Sequence, residues 1–241
     1  MTYSVLKAYF NDKNTLRDQK APGPGFEEES LKKGRALDLP DPKLVEDRDL
    51  SLKEALEKRR TIRNYGPQIM TLKDLSYILH YTYGNRVNRG EVIAKFVPSA
   101  GERYSLNLFV LVFGILDVEK GVYYYSPSEH RLYLVNQLGD LQGHFVEAMK
   151  GQEFAGRAKV ALFLAASPER IEYAYPTDGN KLMLLDAGHV FQNAILAGLN
   201  LGFGSCPLAK YDQDKIEDLL ALPEGMVAIY ALTLGKVRGQ S

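Results

Sequence analysis

The chain has 241 residues, of which 45% are hydrophobic and 25% charged, and its 30 basic and 30 acidic side chains give a formal net charge of zero. This balance excludes the basic field that non-specific nucleic-acid binding needs. The single cysteine, Cys206, excludes an internal disulfide and a cysteine-based zinc site. Because no secretory or membrane-spanning pattern is present, we predict a cytoplasmic protein with no membrane partner.

Residues 1–50 differ in composition from the rest of the chain. They are dense in charge, contain Pro22-Gly23-Pro24-Gly25 and Pro40-Asp41-Pro42, and show no sustained hydrophobic periodicity. We therefore predict an extended, partly ordered N-terminal arm over 1–50 and a main domain over 51–241.

The main domain opens with two helix signals. Ser51 and Glu54 form a capping box, so a helix is predicted to begin at Ser51 and to lead into the arginine-rich stretch 59–63. If that helix continues, Arg59 and Arg63 share one face. Thr71 is predicted to cap a second helix that runs to about Tyr83.

Strands and helices then follow in an order that indicates the fold class. Strands are predicted at 106–118, 122–125, 132–135, 159–166 and 226–234, and helices at 138–149, 181–201 and 212–220. The helix over 181–201 is apolar on most faces, which predicts that it is buried. This order predicts an α+β fold in which helices flank a central, mainly antiparallel sheet.

The stretch Arg59-Arg60-Thr61-Ile62-Arg63 places three guanidinium groups and a hydroxyl within five residues. Such a group suits a phosphate dianion, which accepts bidentate, charge-assisted hydrogen bonds. The alternative is a solvated basic helix end, where cations also complement the helix dipole.

Three further segments carry polar groups that could serve a site. The small residues Pro98, Ser99, Ala100 and Gly101 would let a ring approach closely, or form an ordinary loop. In the 181–201 helix, His189 is predicted to be a hydrogen-bonded core histidine.

The third segment contains the adjacent proton-transfer groups Lys210 and Tyr211. A buried lysine at this place would have a lowered pKa and could act as a base. The alternative is a surface lysine beside a tyrosine that packs in the core.

Other chemistries match the sequence poorly. The four histidines are scattered, so we predict no metal centre. A cysteine hydrolase built from Cys206, His189 and Asn193 is arithmetically possible but rests only on generic thiol and histidine logic.

Taken in order, these segments resemble the nitroreductase superfamily, specifically its SagB-type branch, which includes the dehydrogenases that make thiazoles and oxazoles in peptides. The resemblance covers residues 51–238. It is carried by the Arg-Arg-Thr-x-Arg stretch, the Pro-Ser-Ala-Gly loop, the hairpin Gly121-Val122-Tyr123-Tyr124-Tyr125-Ser126-Pro127, the helix segment Ala187-Gly188-His189-Val190-Phe191-Gln192-Asn193, the Gly-x-Gly-x-Cys-Pro segment at 202–207 and the closing Leu234-Gly235-Lys236.

The resemblance implies a homodimer with two FMN molecules at the subunit interface. Arg59, Arg60, Thr61 and Arg63 match the segment that holds the phosphate and ribityl chain, and Lys236 and Arg238 match basic positions near the phosphate. The loop Pro98, Ser99, Ala100 and Gly101 matches contacts to the flavin ring, often from the other subunit. A second set of matching positions is Pro207, Leu208, Ala209 and Lys210. The last predicted cofactor contact is Gln192.

One departure from plain nitroreductases bears on the substrate. Many of them have Glu-Gly where this chain has Ala209-Lys210, whereas Lys210-Tyr211 looks like the catalytic Lys-Tyr pair of azoline dehydrogenases. The resemblance therefore implies hydride exchange at flavin N5 with an azoline-like or other small organic group, in a small-molecule or peptide substrate. The alternatives are an NAD(P)H-dependent nitro or quinone reductase and a flavin-binding partner subunit of a modification complex.

Overall fold

The computed structural model describes residues 28–86 and 94–238. Seven strands build one sheet: β1 (Ala36–Asp38), β2 (Leu106–Val112), β3 (Gly121–Ser126), β4 (Arg131–Asn136), β5 (Val160–Ala166), β6 (Phe203–Leu208) and β7 (Val227–Lys236). Their order across the sheet is β1-β4-β3-β2-β5-β7-β6, and every neighbouring pair is antiparallel. The predicted α+β fold with a central antiparallel sheet is confirmed.

Helices cover both faces of this sheet. They are α1 (Leu52–Lys58), α2 (Leu72–Tyr83), α3 (Leu141–Ala148), α4 (Glu153–Gly156), α5 (Glu169–Glu172), α6 (Gly179–Asn200) and α7 (Gln213–Leu220). Along β2, Leu108 and Val110 pack in the core cluster under α2 and α6, whereas Phe109 and Leu111 pack in the opposite cluster under α3 and α7. Every residue of β2 is buried, because its two faces both meet a helical layer.

The predicted helix starts are confirmed in detail. Ser51 and Thr71 each accept a hydrogen bond from the backbone three residues on, and Glu54 and Asp74 complete the two capping boxes. The strand predicted over 106–118 is too long. Strand β2 ends at Val112, because the next two amides both donate to the Lys159 carbonyl and turn the chain out of the ladder.

Helix α6 confirms the predicted helix, but the prediction that it is buried on most faces is wrong. Leu184 and Leu185 are 60% and 56% exposed, and Gly188 and His189 are exposed beside them. His189 is therefore not a core histidine in this chain. By length and composition α6 could also cross a membrane, yet half of its most apolar window is buried inside the fold, as in a core helix.

Two strands escaped the sequence analysis. Strand β1 lies within the predicted N-terminal arm and pairs with β4, while residues 1–27 of that arm lie outside the described residues. Strand β6 contains Gly204 and Pro207, two residue types that are rare in strands, so its sequence reads as a loop. It is an edge strand that, among the described strands, pairs only with β7, and proline is tolerated in edge strands.

Candidate functional site

The arginine-rich stretch is extended rather than helical. Helix α1 ends at Lys58, and Arg59 has an extended ψ of 126°. The prediction that Arg59 and Arg63 share a helical face is therefore wrong. Instead Thr61 forms a parallel bridge to Ser205 of β6, and the Ile62 amide donates to the Ser205 carbonyl at 2.8 Å. The stretch thus lies along the free edge of β6.

A glycine in β6 makes this close approach possible. A Cβ atom at Gly204 would lie 2.7 Å from the Cβ of Ile62, which is closer than two such atoms can approach. The arginine stretch and β6 are therefore held together by side-chain packing as well as by the backbone hydrogen bond.

We expect Gly204→Ala to push Ile62 away from β6 and to destabilise the fold by about 1–3 kcal/mol, the usual cost of overpacking. The free energy of unfolding measures this effect. Ile62→Gly removes the Cβ that the new methyl group would meet, so adding Gly204→Ala to Ile62→Gly should cost less stability than adding it to the wild type. If the two single effects merely add, the two residues are not in steric conflict.

Four cations from two parts of the chain line one small cavity beside this stretch, which we call the basic cavity. Its volume is about 100 Å³, and its cationic lining residues are Arg48, Lys58, Arg59 and Arg60. Among the described residues that line it there is no carboxylate, although Lys58 also pairs with Glu54 outside the cavity at 3.5 Å. Because positive charge is in excess among the lining residues, the cavity attracts an anion and fits a phosphate group.

Sequence reasoning missed Arg48. It lies in the predicted arm among acidic neighbours, and no local pattern distinguishes it. The structure holds its backbone amide on the Asn200 carbonyl at the end of α6, 3.0 Å away. Its guanidinium lies against Gly202, where an added Cβ would collide with it. Only the tertiary fold brings this arginine to Arg59 and Arg60.

Lys236, at the end of β7, lies beside the turn at Gly202 that the Arg48 guanidinium also contacts. Its amine donates to the Leu201 carbonyl at 2.6 Å and lies 3.9 Å from the centroid of the Phe203 ring. Burial lowers the pKa of Lys236, Asp74 opposes this shift, and the positive charge of Arg48 adds to it. Arg238 is exposed, and its amide donates to the Asn64 carbonyl.

Arg63 faces a different environment from Arg59 and Arg60. Its guanidinium carbon lies 5.7 Å from the centroid of the Phe154 ring. Burial raises the pKa of the Cys206 thiol, whereas the charge of Arg63 and its hydrogen bond to the thiol oppose this rise. Of the four predicted anchor residues, Arg59 and Arg60 line the basic cavity, whereas Thr61 and Arg63 lie against Ser205 and Cys206 of β6.

The segment after β6 continues from this place. Pro207 is partly buried and Leu208 is buried, while Ala209 and Lys210 are exposed. The Lys210 carbonyl accepts a hydrogen bond from the Gln152 side chain at 2.7 Å, which fixes the backbone while leaving the amine in solvent. The structure thus brings Thr61, Arg63 and this segment to one edge of the sheet.

Tyr211 turns into the protein. Its ring packs edge-on against Phe163 at 5.6 Å, and its hydroxyl donates to the Ala228 carbonyl at 2.9 Å. Burial, with a further contribution from Glu217, raises the pKa of Tyr211 to about 12. Within the described chain the pair therefore matches the alternative of a surface lysine beside a tyrosine that packs in the core, and the buried Lys210 that would favour a base is not found.

The Pro98–Gly101 loop lies elsewhere in the chain. The Ser99 hydroxyl donates to the Asp186 carboxylate at 2.6 Å, and the Ala100 amide donates to the same group at 3.2 Å. These bonds explain a buried aspartate inside an apolar helix. Ile195 and Leu199 of α6 both line the basic cavity, and at 1.5 Å per residue they lie about 14 and 20 Å along the helix from Asp186. Gln192 is exposed on α6 between Asp186 and these two residues.

The cysteine hydrolase alternative is wrong. Cys206 is fully buried in the core cluster under α3 and α7, whereas His189 is exposed on α6, which packs on the opposite face of the sheet. The Asn193 side chain instead donates to the Phe96 carbonyl.

The protein has an α+β fold with a cation-lined cavity at one edge of its sheet. The profile of the nitroreductase family matches residues 56–236. The chain belongs to the nitroreductase family, and it is an oxidoreductase of that family.

Two curated proteins show the range of its relatives. MJ1384 of Methanocaldococcus jannaschii, assigned as a nitroreductase, is 35% identical over 178 residues, which cover 73% of this chain and 87% of that protein. The trifolitoxin-processing protein TfxB of Rhizobium leguminosarum is 25% identical over 166 residues, covering 65% of this chain and 44% of TfxB.

Solved structures share the fold. A protein from Anabaena variabilis assigned as a nitroreductase superposes with a TM-score of 0.75 at 21% identity, covering 97% of this chain and 47% of that one. A chain of the Escherichia coli microcin synthetase McbBCD complex, with truncated pro-MccB17 bound, superposes with a TM-score of 0.62 at 17% identity, covering 99% of this chain and 83% of that one. At these identities the likeness concerns the fold alone.

Proposed function

We propose that this chain is a cytoplasmic, FMN-dependent oxidoreductase that works as a homodimer and exchanges hydride at flavin N5 with an azoline-like or other small organic group. The observation that carries the proposal is the basic cavity beside β6, where four cations meet with no carboxylate among the lining residues. Members of the nitroreductase family generally bind FMN, whose phosphate dianion is the counter-charge that such a cavity needs.

The cations divide the work of holding the cofactor. Arg59 and Arg60, assisted by Arg48, would bind the phosphate, and Thr61 would offer its hydroxyl to the ribityl chain. Lys236 and Arg238 would add positive charge near the phosphate. Arg63, which lies next to Cys206, would contact the ring. Bound FMN supplies the redox chemistry as a hydride acceptor or donor, and these residues hold it without breaking any bond.

The segment after β6 has a second task. In the proposed site, the backbone amides of Leu208, Ala209 and Lys210 would approach the ring edge near N5 and O4. Donors fixed in this way stabilise negative charge that develops on the ring without having to reorient. The hydrogen bond from Gln152 to the Lys210 carbonyl keeps this backbone in place.

A second copy of the chain would complete the site. The Pro98–Gly101 loop is pinned to Asp186, about 14–20 Å along α6 from the residues that line the basic cavity, so it lies apart from the cations that would hold the phosphate. The exposed α6 surface around Leu184 and Leu185 is apolar enough to pack against a partner. In a homodimer, the Pro98–Gly101 loop and Gln192 of each subunit would contact the flavin held by the other subunit.

The SagB-type reaction rests on Lys210. Its amine would take a proton from the heterocycle while hydride passes to the flavin. The name of TfxB, a peptide-toxin processing protein, and the pro-peptide bound in the McbBCD complex support a substrate within a peptide. The second candidate, an NAD(P)H-dependent nitro or quinone reductase, is favoured by the assignment of MJ1384. A partner subunit of a modification complex is the third.

Purified protein tests the cofactor directly. We expect a yellow preparation that absorbs near ~450 nm, as oxidised flavins do, with one FMN per chain and two chains per particle. Absorbance, flavin extraction and sedimentation measure these quantities. A colourless protein that takes up no added FMN would overturn the proposal, and a yellow monomer would overturn only the shared site.

A further inference from the structure

A second cavity adjoins the Pro98–Gly101 loop, although no predicted flavin contact lines it: the amide of Tyr104, one of its lining residues, donates to the Ser99 hydroxyl at 2.9 Å. It measures about 220 Å³ and is bounded by α2, β2, β3 and the chain around residues 94–104. This volume is roughly seven times the share of one water molecule in the liquid, so it can hold a small organic molecule. The polar residues that matter are Tyr83, Lys95, Arg170 and Glu28. We call this space the Lys95 cavity.

Lys95 brings an amine into this cavity without an acidic partner. The amine donates to the Asn85 side-chain oxygen at 3.1 Å and lies 4.4 Å from the centroid of the Tyr83 ring. Among residues 28–86 and 94–238, no carboxylate forms a salt bridge with it. A desolvated ammonium of this kind is stabilised by an anion placed beside it.

The hydroxyl of Tyr83 is a second unsatisfied group. Tyr83 is 3% exposed, and within the described chain its hydroxyl proton has no acceptor. The Leu106 amide is a donor that interacts with the hydroxyl oxygen, so it leaves the hydroxyl proton unsatisfied. A buried hydroxyl without an acceptor is costly, and its presence calls for an explanation.

The charges around the cavity restrict the ligand. Arg170 lines the same wall and adds positive charge there, while the groups that an anion would satisfy are the Lys95 amine and the Tyr83 hydroxyl. The Glu28 carboxylate accepts hydrogen bonds from Tyr124 and Ser126 and lies 3.6 Å from the Lys32 amine. The Glu28 carboxylate is therefore already paired, but its negative charge would repel a dianion in the cavity more strongly than a monoanion.

We propose that the Lys95 cavity binds a small organic carboxylate, with the Lys95 ammonium and the Tyr83 hydroxyl on the carboxylate oxygens. The aromatic walls formed by Tyr83, Tyr104 and Tyr124 favour an apolar body behind the carboxylate over inorganic phosphate. The proposal does not depend on FMN binding, because no residue of the proposed flavin site lines this cavity.

Proton uptake provides a signature of this site. Burial lowers the pKa of Lys95 to about 7, the positive charge of Arg170 lowers it further, and Glu28 opposes the shift. The other titratable groups that face the amine are Tyr83 and Tyr104. At pH 8 the free amine is mostly neutral, and since the carboxylate pairs with the ammonium, binding must take up a proton.

Benzoate is a suitable probe for the full-length protein in its purified state. We expect calorimetry at pH 8 to show benzoate binding, with proton uptake detected as a dependence on the ionisation heat of the buffer. Lys95→Met should weaken binding at least 10-fold and abolish the uptake. Tyr83→Phe, which removes only the hydroxyl whose proton has no acceptor and so leaves the fold intact, should weaken it several-fold. Lys53→Met, at an exposed lysine on α1, should change neither quantity.

Several results would overturn the proposal. One is the absence of benzoate binding to the wild-type protein, and another is unchanged binding to both Lys95→Met and Tyr83→Phe. Binding that perturbs the flavin absorbance and survives Lys95→Met would place benzoate in the flavin site instead. Inorganic phosphate that binds more tightly than benzoate, and also requires Lys95, would replace the carboxylate assignment with a phosphate one.

Discussion

Replacing both Arg59 and Arg60 with alanine should weaken FMN binding at least ~100-fold, because each charge-assisted hydrogen bond to a phosphate contributes about 1.5–3 kcal/mol. Both side chains line the basic cavity, and no acidic residue there competes for them. Fluorescence titration of the FMN-free protein measures the affinity. The same titration with riboflavin, which lacks the phosphate, should show little change, so the loss is specific to the phosphate.

Two controls separate the anchor from the fold. Lys53 lies exposed on α1, the helix that precedes the two arginines, and Lys53→Ala should leave the FMN affinity unchanged. Arg60 also donates to the Glu57 carbonyl at the end of α1, so the thermal stability of the double variant must be measured. Changing both arginines to lysine keeps the charge but loses the planar fork, and an intermediate affinity is expected. Equal losses for FMN and riboflavin would contradict the anchor role.

Local sequence signals predicted much of this fold because they act over short distances. The capping boxes at Ser51 and Thr71 depend on residues three positions apart, and the structure shows both. Strand β6 could not be found in this way. Its glycine and proline lower its local strand propensity. It is held as a strand by its pairing with β7 and by the packing of Ile62 against Gly204, and both partners are distant in sequence.

The candidate site shows the same limit. Arg59 and Arg60 stood out because they are adjacent in sequence, but their extended course depends on a hydrogen bond to Ser205, which is distant in sequence. Arg48 reaches the same cavity only through the pairing of its amide with Asn200. The exposed leucines of α6 were predicted to be buried, because periodicity reports which face is apolar but not whether this chain or a partner covers it.

Lys210→Ala should abolish azoline oxidation while sparing reduction of the flavin by NAD(P)H. A positioned acid or base contributes about 10²–10⁴-fold to a rate, and hydride transfer from a nicotinamide needs no proton to be removed from a heterocycle. The exposed Lys210 amine is open to a substrate while its carbonyl is held by Gln152, and the bound substrate or the second subunit would have to bury the amine for it to act as a base. Stopped-flow measurement of the two half-reactions separates the effects.

Tyr211→Phe is the matched comparison for this variant, since the two residues are adjacent and only one faces solvent. The Tyr211 hydroxyl donates to the Ala228 carbonyl. Its removal should therefore lower stability by about 1 kcal/mol, the usual net value of such a hydrogen bond, and leave most of the oxidation rate. Full oxidation activity in Lys210→Ala would exclude the acid–base role of Lys210. Equal loss of both half-reactions would assign Lys210 to the architecture of the flavin site, whereas loss of oxidation in Tyr211→Phe alone would move the proton transfer to the tyrosine.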